Sequence, residues 1–219
     1  MAQLLYARDA SRKHLNATRR HQRLCRQLSG TAPLVDAIQL PYHDLKNKHA
    51  ATQKQEEQRE DRYDDLLIAD SQLDDQVRNV FRRCEEHDRA TPEAAVLPLI
   101  FPQGKFGPII NMNMQQEPDA VANLALRLES LGKEHALFPL VKELRTRIAA
   151  SRKAIAAYEA SGQRVKQCQA EEQIAKATLR RQYETNYLDA RKQFGKMRAE
   201  RLFPKLKASQ RALPDRVTE

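Results

Sequence analysis

The chain has no tryptophan, only six glycines and three cysteines, and aromatic residues fill 5 % of its 219 positions. Each shortage excludes something. With so few rings there is little material for a broad interior, which argues against a globule wrapped around aromatic clusters. Cys25, Cys84 and Cys168 are odd in number, far apart and free of any CxxC pair, so neither a disulfide framework nor a thiolate metal site is expected. No apolar run nears the roughly eighteen residues of a membrane span. The opening Met1 to Leu5 has no basic segment leading into an apolar one, so a cytoplasmic, non-exported protein is expected. Strand signals are scarce.

What is abundant is charge in helical patterns. Charged residues make up 31 % of the chain against 41 % hydrophobic, and the net charge of +9 is unevenly placed. Residues 1–33 hold seven Lys/Arg against one acid; residues 34–90 hold nine against fourteen; residues 176–216 hold twelve against four. From Leu137 to Phe203, apolar or small residues recur every three or four positions, through Val141, Leu144, Ile148, Ser151 and Ile155 and again through Ala175, Leu179, Tyr183, Tyr187, Ala190 and Phe194. That is the stripe of one buried helical face. A helix of this length would reach roughly 100 Å and must be sheathed by other helices or by partner chains.

Earlier in the chain, a first helix is predicted over Ala2 to Ser29, closed by Gly30. Thr31 and Pro33 form a start signal for a second, long helix running to Ala90, kinked at Pro41. Between Lys46 and Arg62 this helix has no large apolar residue, which reads as an exposed stalk. Thr91-Pro92-Glu93 ends it and caps one further turn. Residues 98–117 hold three prolines, two glycines and a dense Ile/Phe/Met cluster, a crossover packed down by its own side chains. Gln103-Gly104-Lys105-Phe106-Gly107 lacks the spacing of a phosphate-cradling loop. A short helix opens at Pro118-Asp119 and stops at Gly132; the last long helix follows, with Gly162 inviting a bend.

The two halves resemble each other. Pro33-Leu34-Val35 and Pro139-Leu140-Val141 each open a long helix, Phe101-Pro102 and Phe203-Pro204 each close one, and Arg78-x-x-Phe81 matches Arg180-x-x-Tyr183. The fold expected is all-α, an elongated antiparallel helical bundle with coiled-coil-like seams made of two related short-helix/long-helix hairpins. Its divisions are 1–97, a crossover at 98–117, 118–204, and a basic tail at 205–219.

Catalytic signatures are absent from the sequence: there is no Gly-x-Ser-x-Gly, no His-Glu-x-x-His and no Glu-x-x-His. Cys84-x-x-His87 beside Glu85, Glu86 and Asp88 is the nearest approach to a ligand cluster, and the histidines read by default as exposed polar helix residues. No cofactor, no metal and no small-molecule substrate are expected. The leading functional expectation is a non-catalytic scaffold or adaptor presenting charged helices to a protein partner or to itself, with Glu56, Glu57, Glu60, Asp61, Asp64 and Asp65 as an acidic partner surface. The alternative is sequence-independent binding of nucleic-acid backbone through Arg180, Arg181, Arg191, Lys192, Lys196, Arg198, Arg201, Lys205, Lys207 and Arg211. A helical enzyme or metal-binding bundle ranks third.

Overall fold

The computed structural model describes residue 2 and residues 4–203. Among them the regular structure is helical throughout: α1 (Ser11–Cys25), α2 (Ala32–Ala90), a 3-10 turn (Pro92–Ala94), α3 (Leu97–Ile100), α4 (Gly107–Ile110), α5 (Glu117–Glu129) and α6 (Pro139–Leu202). The all-α class follows from the three-and-four spacing of apolar residues, and the buried set keeps to it: Leu73, Val77, Val80 and Cys84 on α2, Val141, Leu144, Ile148 and Ser151 on α6.

Two compact units result, and both long helices pass from one to the other. The first unit is Met1–Lys54 with Lys166–Glu219; the second is Gln55–Val165. Neither coincides with the sequence divisions 1–97 and 118–204, because each unit takes the opening half of one long helix and the closing half of the other. In the first unit α2 and α6 are tied by Lys48 to Glu171 at 2.6 Å, and in the second by Arg147 to Gln72 at 2.7 Å and Gln76 to Glu143 at 3.0 Å. Where large apolar residues run out on α2, the second unit substitutes Arg59, which donates to the Tyr158 hydroxyl at 2.9 Å and lies 5.0 Å over its ring.

Each unit repeats one internal plan. In the second, the chain leaves α2 at Ala90 and α3 folds back, so that Phe101 meets Phe81 edge-on at 5.1 Å, and Arg127 of α5 donates to the Ile100 carbonyl at 3.1 Å. In the first, Phe203 meets Tyr183 edge-on at 5.0 Å, and His21 of α1 donates to the Leu202 carbonyl at 3.1 Å. The matching residues lie 102 apart after the long helices (Phe101, Phe203) and 106 apart at their starts (Pro33, Pro139). The first long segment therefore carries four extra residues, about one helical turn, which leaves its inward face little rotated.

Several local expectations change. Residues 4–10 are not helical: Asp9 accepts the Tyr6 N–H at 3.0 Å and pairs with Lys13, so α1 starts only after Ala10, while Leu5 is buried beneath it. The Thr31 hydroxyl does not cap α2. It points backward, donating to the Cys25 and Leu28 carbonyls, and so closes α1. Pro41 and Gly162 lie within α2 and α6 as expected, but α6 does not run unbroken to Leu202: it is interrupted at Gly195, whose φ of 75° and ψ of 165° are non-helical. Without that reversal Phe203 would lie about 30 Å along the axis from Tyr183 rather than against it.

These glycines are oppositely disposed toward substitution. A Cβ at Gly162 would meet only the movable Arg59 side chain, at 3.6 Å. Gly162→Ala is expected to raise the unfolding free energy by about 0.5–1 kcal/mol, whereas Gly195→Ala at positive φ lowers it by about 1 kcal/mol or more. Urea unfolding followed by circular dichroism measures both.

Candidate functional site

The two units share a plan but not an interior. The second closes over apolar side chains, with Ile100, Phe101, Val121, Leu124, Leu128 and Leu144 all nearly inaccessible. The first buries His14, Thr18, His21, Gln22, Glu172, Lys176 and Asn186 among its apolar residues. The sequence reading placed the histidines on exposed faces; His14 and His21 instead point inward, because α1 has too few apolar residues to cover the long pair without them.

His21 is fully specified by its partners. Asn186 Nδ2 donates to the Leu34 carbonyl at 2.6 Å and lies 3.2 Å from His21 Nε2, and Gln182 donates to Asn186 Oδ1 at 2.9 Å. With Nδ1–H given to Leu202, Nε2 must be the acceptor, which assigns the neutral tautomer. The ring stacks on Phe203 at 4.1 Å. Burial lowers its pKa to about 4, against the Leu202 carbonyl, which acts to raise it.

A second polar cluster joins α1 to both long helices. Ser11 donates to Glu172 Oε1 at 2.5 Å, and His49 Nδ1 reaches the same oxygen at 3.1 Å. Burial opposes the Glu172 charge, yet the Ser11, Thr52 and His49 contacts hold its pKa below the usual range. The order of groups decides the chemistry. A nucleophilic relay needs imidazole next to hydroxyl; here the carboxylate stands between them and serves as a three-helix tie. Close by, His14 Nε2, Thr18 Oγ1 and Arg180 Nε are buried without partners. Burial depresses the His14 pKa, and Lys176 and Arg180 add to the effect against the Ala10 carbonyl.

At the matching place in the second unit, Glu117 opens α5 and faces Asp74 and Asp70 of α2. Glu117 is 1 % exposed, and its Oε1, like Asp74 Oδ1, has no partner; Arg78 pairs with the other Asp74 oxygen at 3.0 Å. Burial first, then the two acidic neighbours, push the Glu117 pKa up to about 8. These carboxyls do not form a metal site: among the described residues no group of three or more His, Cys, Asp or Glu is placed to hold an ion. Cys84 and His87 also separate. Cys84 is buried in the core with its thiol raised to about 12 by burial, while His87 lies against Asp88, whose carboxylate takes the Val96 and Leu97 N–H groups. A cleft of about 280 Å³ beside the crossover is lined by Phe101, Ile109, Met112, Asn123 and Arg127 among others, with no carboxylate, histidine or hydroxyl.

Most of the charged residues singled out from sequence that lie among the described residues are exposed. Glu56, Glu57, Glu60, Asp61, Asp64 and Asp65 are all exposed on α2 in the second unit, and Tyr63, Leu67 and Ile68 lie exposed among them. In the basic run, Arg181, Arg191, Lys192, Lys196, Arg198 and Arg201 are exposed, Arg180 is half-buried beside Glu184, and the break at Gly195 divides them between two segments. Lys205, Lys207 and Arg211 lie outside the described residues. The seam expected on the first helix includes Ser11 and Thr18, which are buried, but sequence reading did not find their partners, since Ser11 and Glu172 are 161 positions apart and nothing local couples them.

No family model, curated protein or solved structure matches this chain. No described helix is long and apolar enough to cross a membrane.

The buried titrating groups make two opposed predictions. His21 is held neutral when folded, so its contribution is present above its ordinary pKa of 6.5 and is lost as pH falls toward about 4, up to about 3 kcal/mol. Glu117 is held protonated when folded, so its contribution is full below 4.5 and is lost as pH rises through about 8. Urea unfolding across pH 4–9 is expected to show both limbs, with Glu117→Gln flattening only the alkaline one.

Proposed function

We propose that this chain is a non-catalytic adaptor, whose second unit docks a basic protein surface through the acidic face of α2. The observation that carries the reading is the composition of that face. Tyr63, Leu67 and Ile68, 44 %, 38 % and 59 % exposed, sit within a field of exposed carboxylates. An apolar centre with a charged rim is what a protein interface needs. Charge also divides between the units. The first holds twenty-three Lys/Arg against ten Asp/Glu, the second fifteen against nineteen. A second copy therefore offers one suitable partner surface, its own first unit.

A further reading, sequence-independent contact with nucleic acid through the basic run, is supported by the exposure of Arg181, Arg191, Lys192, Lys196, Arg198 and Arg201. It uses the first unit and is compatible with a protein partner on the second.

Sedimentation of the full chain in a salt series tests the adaptor reading against self-association. At low salt, mass above the monomer is expected and should decline as salt rises. Asp61→Lys with Ile68→Glu is expected to weaken that association at least tenfold with the fold intact, since both side chains are exposed. A strict monomer at every salt concentration, together with no protein co-purifying with the native chain, would sink it.

A further inference from the structure

We infer that the outward face of α1 is a docking surface for the phosphodiester backbone of a nucleic-acid duplex. This goes beyond the adaptor reading and does not depend on it. Arg12, Arg19 and Arg23 of α1 and Arg26 at its C-cap are exposed, and at about 100° per residue they fall in one sector of the helix, opposite the buried His14, Thr18, His21 and Cys25. The stripe spans about 21 Å. None of these four arginines has an ion-pair partner among the described residues, whereas Lys13, Lys48 and Arg180 of the same unit are each paired.

The fold does not require this stripe. α5 occupies the corresponding place in the second unit; its exposed residues are Asp119, Asn123, Leu126, Arg127 and Ser130, and the one arginine among them donates to the Ile100 carbonyl. Two helices with the same structural task thus have different outer faces, and only one is cationic.

The same face discriminates among anionic partners. Asn16 and Gln27 complete it, and it exposes no acid and no large apolar residue. A membrane-surface helix inserts an apolar face, but the apolar face of α1 is already buried in the unit. A protein interface needs an aromatic or aliphatic anchor at its centre, which is lacking here. Protein–nucleic acid surfaces are polar and strongly basic, and the guanidinium fork matches phosphate oxygens in pairs. With no exposed ring on the face to stack against unpaired bases, a duplex is favoured over a single strand. The base beneath the stripe is stiff: Ser11 is tied to Glu172, and His21 to Leu202 and Asn186.

Fluorescence anisotropy of the full chain against a short labelled DNA duplex, the matching RNA duplex and labelled poly-glutamate, each in a KCl series, tests the inference. One or both duplexes are expected to bind with affinity falling steeply as salt rises, and the responding arm names the source. Arg12→Gln, Arg19→Gln and Arg23→Gln together should lower the log–log salt slope by about 3 and weaken binding at least tenfold, with the melting temperature unchanged. Absence of a salt-dependent signal with either duplex overturns the inference. So does a slope that the three substitutions leave unmoved, or poly-glutamate binding as tightly as the duplexes.

Discussion

Two long helices lying against each other cannot bury both their seams unless something covers the remaining side, and in this chain the cover is made by chain reversal. After each long helix the backbone turns and returns one ring to the helix it has just left: Phe101 to Phe81, Phe203 to Tyr183. A donor from the short helix then takes the carbonyl just before that ring, Arg127 in one unit and His21 in the other. The ring supplies buried area in a chain short of aromatics, and the donor removes the cost of an unpaired carbonyl beside it. The short helix, the reversal and the long pair are thereby locked as one structure.

That lock tolerates very different surroundings. In the second unit it sits in an apolar interior; in the first it sits beside His14, Thr18, Glu172, Lys176 and Asn186. Asn186 stands where the second unit has Cys84 and Ser11 stands where it has Glu117, so matching positions of one framework carry different chemistry in the two units. The polar interior of the first unit is matched in part, through His21, Asn186 and the Leu34 carbonyl, whereas His14 Nε2, Thr18 Oγ1 and Arg180 Nε are buried without partners. It also binds stability in the first unit to the protonation of one imidazole. The surfaces diverge as well, with arginines outward on α1 and mixed residues outward on α5.

Much of the architecture was legible in one dimension, because helical periodicity is local. The start of α2 near Pro33 and of α6 at Pro139, the stop at Ala90, and the packed crossover around Phe101 and Ile109 all appear where spacing, proline and glycine placed them. The likeness of the halves was visible too in Phe101-Pro102 and Phe203-Pro204. Misreadings had specific causes. Residues 4–10 have helical composition, but the Asp9 carboxylate captures the Tyr6 N–H and postpones the helix. Thr31 has the right chemistry for an N-cap yet serves the preceding helix, a choice made by the turn at Gly30 rather than by residue type.

From the amino-acid order alone came the all-helical class and the opposite charge of the acidic stretch and the basic run, because each depends on neighbours within a few turns. The tertiary structure decided which histidines are inside, which carboxylates meet, and that each unit is assembled from the beginning of one long helix and the end of the other. Those outcomes depend on pairings such as Ser11 with Glu172 and Arg127 with Ile100. Such contacts are selected by the free energy of burial in the assembled unit, and no local stretch of chain contains that information.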